Sequence, residues 1–283
     1  MQNETYELID QAVNGDSIAL QNLIVDVQDM VYNLSLRMLG SPQDAEDAMQ
    51  EIIIKIITQL STFRKESAFS TWVYRIATNY LINCKKTMFA QHPLSFEFYA
   101  QDINAGFIPN TEDLMQAVDE GLLAEELKVS CTNVMLQCLD AESRCIYILG
   151  IMFKADSKVC GEILCITAEA YRQRLSRIRS KVADFLSDYC GLTKTGKCNC
   201  QKRVGYAIQT HRLNPKQLEY SALEKLPENE TFGFIQAMEE MDDMSLVFTY
   251  LPKYRSPQNA KNFIKELLTS DSMKVIQAGG KAI

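Results

Sequence analysis

The sequence predicts an all-α protein of two helical domains, a linker and a small helical C-terminal segment, and three observations carry that prediction. Apolar residues recur three and four apart through long stretches, as buried helix faces require. Start and stop signals bracket those stretches, as at Gly40-Ser41-Pro42, where one helix can end and the next begin. The 283 residues are 47% hydrophobic and 23% charged, the balance of a folded chain with enough length for real cores.

Residues 4–39 read as two helices broken at Asn14-Gly15-Asp16. Leu8, Ile9, Ala12 and Val13 line the first; Leu20, Leu23, Ile24, Val27, Val31, Leu34 and Met38 line the second. A third helix opens with Ser41 as N-cap and Pro42 in the first turn, with Asp44 placed as a capping-box partner. Ala45, Ala48, Met49, Ile52, Ile53, Ile56, Ile57 and Leu60 form its buried face. Asp47, Gln50, Glu51 and Ile54 share the other side, and an exposed isoleucine among polar groups suits a protein-docking face. An aromatic and basic segment follows, with Phe69, Trp72, Tyr74, Arg75, Asn79, Tyr80, Lys85 and Lys86.

No sustained period runs through Gln91–Asn110, and residues 91–124 read as an acidic linker between domains spanning 1–90 and 125–189. In the second domain, Asp156 can cap a short helix through Ile163-Leu164, and Thr167 can cap the next. Tyr171, Leu175, Ile178, Val182, Phe185 and Tyr189 share one face of that helix. Gln173, Ser176, Arg177 and Ser180 lie opposite, flanked by Arg172, Arg174, Arg179 and Lys181. Polar side chains between cations suit base edges and phosphates. Residues 190–283 add three thiols, a Met-rich apolar stripe (Phe234, Ile235, Met238, Met241, Phe248, Leu251) and a helix after Ser256-Pro257. That last helix has Ala260, Phe263, Ile264, Leu267 and Leu268 on one face.

The net charge of −7 argues against a nucleic-acid partner until its distribution is read. Residues 64–90 hold five cations against Glu66, and residues 171–204 hold nine against Asp184 and Asp188. Two basic islands in an acidic chain fit two DNA contacts, with acidic surfaces left for other partners. No apolar run approaches a membrane span and the N-terminus is acidic, so a cytoplasmic protein is expected. Nine cysteines without an export signal make a disulfide framework unexpected. Two histidines, no phosphate-binding glycine loop and no paired carboxylates make an enzyme unexpected.

The residues Asp44-Ala45-Glu46-Asp47, Gln50-Glu51, Phe63-Arg64, Phe69-Ser70-Thr71-Trp72, Tyr74-Arg75-Ile76-Ala77 and Asn79 resemble region 2 of bacterial RNA polymerase sigma factors of the extracytoplasmic-function class. Leu139 to Leu186 resembles region 4, the helix-turn-helix of the same family. The resemblance implies a factor that binds core RNA polymerase, directs it to a promoter subset and aids melting. It implies polymerase docking through Asp47, Gln50, Glu51 and Ile54. It implies minus-ten contacts through Phe69, Trp72, Arg75, Asn79, Lys85 and Lys86, with Trp72 open between base stacking and core. It implies minus-thirty-five contacts through Arg172, Gln173, Arg174, Ser176, Arg177 and Arg179, and an anti-sigma protein as a further partner. Three features depart from the region 4 pattern: Cys165 at the turn, Gly161 inside the preceding helix, and the absence of a proline at Leu139-Asp140.

No cofactor is required by this reading. Cys190, Cys198 and Cys200, with His211 as a fourth candidate, could bind zinc or act as a thiol switch, though C-x7-C-x-C is not a standard zinc spacing. Two alternatives remain at this stage. One is a helix-turn-helix regulator that is not a sigma factor; the other is a metal or thiol redox protein.

Overall fold

The computed structural model describes residues 2–84, 88–106, 108–193, 195–227, 246–249 and 251–270. The described residues are mostly helical, in the order α1 (Gln2–Val13), α2 (Ser17–Leu39), α3 (Pro42–Gln59), α4 (Phe69–Ile82), α5 (Met88–Gln91), α6 (Phe96–Ala105) and α7 (Glu112–Met115). Then come α8 (Glu120–Leu136), α9 (Ala141–Tyr147), α10 (Ser157–Leu164), α11 (Ala168–Tyr189), α12 (Val204–Gln209), α13 (Leu246–Thr249) and α14 (Gln258–Thr269).

The boundaries follow from caps. The Asp16 carboxylate accepts from the Ile18 and Ala19 amides to start α2, and Gly40, at φ +75°, ends it. Ser41 Oγ accepts from the Asp44 amide at 3.3 Å and Pro42 fills the first helical position of α3. Seven residues of α3 are buried: Ala45, Ala48, Met49, Ile52, Ile53, Ile56 and Ile57. They pack on α2 and α4, and each fully buried isoleucine contributes about 1.5–3 kcal/mol.

The segment read as a linker is more structured than the sequence predicts. Ser95 caps α6 through the Phe98 amide, and Phe96, Tyr99 and Ala100 are buried, with Phe96 and Tyr99 against Phe185 of α11. The apolar period exists there, but over little more than two turns and among acids. One of those acids, Asp102, is buried and gripped by Arg203 and Arg212 from beyond α11. Arg203 also donates to the carbonyls of Asp102, Ile103 and Gly106, closing the C-terminal end of α6.

One half-buried cation and one carboxylate tie the helical regions together. The Arg144 guanidinium donates to Met38 O at the end of α2, to Leu136 O in the last turn of α8 and to Leu139 O beyond it. Burial lowers its pKa to about 10. Glu126 accepts from the amides of Glu219, Tyr220 and Ser221 at 2.7–2.8 Å, and Tyr220 Oη reaches Gly40 O at 3.0 Å. A single apolar cluster consequently runs from Ile9 to Leu268. The expected stripe from Phe234 to Met241 and the tail after Ser270 lie outside the described residues.

Candidate protein and nucleic-acid interface

The two faces expected to serve different partners open onto one groove of about 1440 Å³. One wall is α3, with Asp44, Asp47, Gln50, Glu51 and Ile54; the other is α4, with Trp72, Arg75 and Asn79. The turn at Leu60–Thr62 ends α3, and α3 and α4 pack together. Asp47 and Glu51 are exposed and Gln50 is half-buried. Ile54 corrects its expectation in part: it is half-buried, and Phe263 of α14 lines the same groove. Burial, reinforced by the charge of Asp47, raises the pKa of both Asp44 and Glu46.

On α4 the expected DNA residues divide. Phe69 is a correction: it is only 6% exposed, its ring 5.7 Å from Phe63 and 5.8 Å from Trp72. It opens α4 on the helix's core side, where the apolar period puts it. Trp72 is half-buried on Phe63 and Phe69 while still lining the groove. Asn79 is exposed, its side-chain oxygen 3.3 Å from Asn83 Nδ2. Arg75 donates to Glu162 O at 3.0 Å, so α10 sits on the side of α4 that carries it. Lys85 and Lys86 lie outside the described residues.

The second basic island forms the exposed side of α11. Thr167 caps the helix through the Ala170 amide at 3.1 Å, and Tyr171, Ile178, Val182, Phe185 and Leu186 bury its other side. Arg172, Gln173, Arg174, Ser176 and Arg177 are exposed and Arg179 is half-buried. Asp156 caps α10 through the Lys158 amide at 2.8 Å. Between the helices Cys165 sits at φ +56°, the left-handed conformation a glycine usually supplies. Gly161 has its own reason: a β-carbon there would come within 2.7 Å of Ile166 O, so the tight turn requires it. This is the geometry of a helix-turn-helix with its second helix free to enter a groove.

The family model described as Sigma-70 region 2 matches residues 23–86. SigW, an ECF RNA polymerase sigma factor of Bacillus subtilis (strain 168), is 30% identical over 188 residues, covering 64% of this chain and 95% of SigW. The chain belongs to the extracytoplasmic-function sigma factors. The ECF RNA polymerase sigma-E factor of Escherichia coli (strain K12) is 42% identical over 72 residues, 25% of this chain and 37% of that relative. A solved structure of CnrH in complex with the cytosolic domain of CnrY matches at TM-score 0.45 and 20% identity, over 63% of this chain and 94% of that one. This sigma factor is therefore a promoter-directing transcription initiation factor, which sets aside the regulator and redox alternatives.

The thiols remain to be placed. Burial raises Cys190 and Cys198 to about 11 and Cys200 to about 12, and the Cys131 thiol of α8 acts on all three. Sequence spacing could not have found Cys131, because it lies in another helix. Among the described residues, no group of three or more His, Cys, Asp or Glu side chains is arranged to hold a metal ion. Thiols held protonated at neutral pH are weak nucleophiles.

Proposed function

We propose that this sigma factor docks on core RNA polymerase through Asp47, Gln50, Glu51 and Ile54 of α3, and meets the minus-ten element along α4. Asn79 offers an amide donor and acceptor to a base edge, Arg75 a phosphate contact, and the groove edge of Trp72 a stacking surface. The exposed face of α11 takes the minus-thirty-five element, with Gln173, Ser176 and Arg177 reading bases between Arg172, Arg174 and Arg179. An anti-sigma protein would act by covering the same α3–α4 groove.

The observation that carries this reading is the shared groove: an acidic strip with one isoleucine faces a polar, aromatic wall across it. A docking partner and an opened DNA strand can thus be held side by side. The test adds purified sigma factor to core enzyme and measures specific transcription. Glu51→Arg reverses a charge in the strip and should weaken core binding at least tenfold, while Arg177→Ala should leave core binding intact and weaken promoter binding. Unchanged core binding by Glu51→Arg removes the docking assignment.

A further inference from the structure

An extended strap, Pro252–Ser256, runs along α2 and delivers α14 to the α3 face. Its even-numbered residues meet polar side chains spaced four apart on α2. Arg37 donates to Pro252 O; Asn33 Nδ2 donates to Tyr254 O at 2.6 Å and its oxygen accepts from the Tyr254 amide at 2.9 Å. Asp29 accepts from the Ser256 amide at 2.8 Å and from Ser256 Oγ at 2.7 Å. The register is geometric: four helical residues rise about 6 Å and two extended residues about 6.6 Å. The odd-numbered residues pair with 224–226 on the other side, through Leu226 N to Lys253 O and Arg255 N to Glu224 O, both 2.8 Å.

Beyond the strap, Pro257 opens α14, whose Ile264 and Leu268 are buried against α2 and α3. Its half-buried Phe263 lines the groove that holds Asp47, Glu51 and Ile54. The anchoring row Asp29, Asn33, Arg37 is polar along a helix otherwise dominated by buried apolar residues. Polar groups under a strap are satisfied by its backbone when it is down and by water when it is up. An apolar row would make lifting far more costly.

We propose that the segment Pro252–Ser270 is an intramolecular clamp that competes with core RNA polymerase for the α3 face and lifts when the polymerase docks. This rests on the docking reading above. A clamp that is closed most of the time weakens apparent polymerase affinity by the fraction of open molecules.

The experiment measures binding of the full chain to purified core enzyme. Phe263→Asp puts a carboxylate into the groove that holds Asp47 and Glu51 and should tighten binding five- to tenfold; Ser256→Ala, a milder change away from the groove, should tighten it two- to threefold. Hydrogen exchange gives the second readout, since the α14 amides should exchange faster in the complex than in the free chain. Unchanged or weaker binding by both variants, with α14 still protected in the complex, overturns the clamp. If Glu51→Arg also leaves binding unchanged, the docking reading fails first and takes the clamp with it.

Discussion

Cys165 carries φ +56° at the end of α10, where a β-carbon crowds the following carbonyl at a cost of about 1–2 kcal/mol. Glycine removes that crowding and returns about 0.5–1 kcal/mol of it as extra chain entropy in the unfolded state. Cys165→Gly should therefore stabilise the chain by about 0.5–1 kcal/mol, read as a higher urea midpoint. A lower midpoint would mean that the thiol makes a packing contribution its exposed position does not suggest. Asp102 works the other way. Burial opposes its ionisation, but bonds from Arg212 and Tyr206 and the charges of Arg212 and Arg203 outweigh that, so its pKa is lowered. A lowered folded value means stability that is present above the unfolded carboxylate pKa, about 3.9, and lost as pH falls through the folded value. Asp102→Asn should cost about 2–3 kcal/mol at pH 7, discounted because Arg212 is 41% exposed, and the gap to wild type should close below about pH 4. A gap that persists once the folded-state carboxyl has been protonated would show that shape rather than charge holds the site. The Cys165 turn was legible as a departure from an expected pattern. The Asp102 site was not, because its partners lie 101 and 110 residues away and no local spacing joins them.

At the scale of elements, long capped helices were the readable part. The Ser41 start of α3, the Asp156 start of α10 and the Thr167 start of α11 all stand where cap chemistry places them. Helix α6 was missed because two turns of apolar residues among acids look like solvated chain until Phe185 and Arg203 arrive to cover them. Ile54 was read for its chemistry correctly as an apolar residue on a polar face, while its neighbour Phe263 came from the far end of the sequence. The role of α11 yields a graded test. Arg174→Ala, removing a phosphate-type contact, should weaken binding to all DNA sequences alike and lower the salt-dependence slope by about 1. Gln173→Ala should instead cost about 1–3 kcal/mol on the preferred promoter and little on others. If both variants weaken all sequences equally, α11 grips the backbone without reading bases.

For the whole molecule, the decisive relation is between two regions that the sequence presents as separate modules and the structure packs together. Arg75 of α4 bonds to Glu162 O of α10, and one apolar core runs through both regions. A compact chain of 283 residues has a radius of gyration of about 19 Å, hence a span of about 50 Å. The interval that the names minus-ten and minus-thirty-five state, about 25 base pairs, spans about 85 Å of B-DNA at about 3.4 Å per pair. A packed chain cannot reach both. On the docking and DNA reading proposed above, engaging both elements at once would separate α4 from α10 and release Arg75 from Glu162 O. Donor and acceptor dyes placed by amber suppression at the exposed positions Gln21 and Asp188 bracket that separation without touching either face. Their distance should lengthen by tens of ångströms from free chain to promoter complex, on the scale of the gap between a 50 Å body and an 85 Å site. It should stay short on core polymerase if opening needs DNA, and lengthen there already if docking alone drives it. An unchanged distance in the full promoter complex would mean that α4 and α11 do not engage the two elements together, and the two-contact assignment would fall with it.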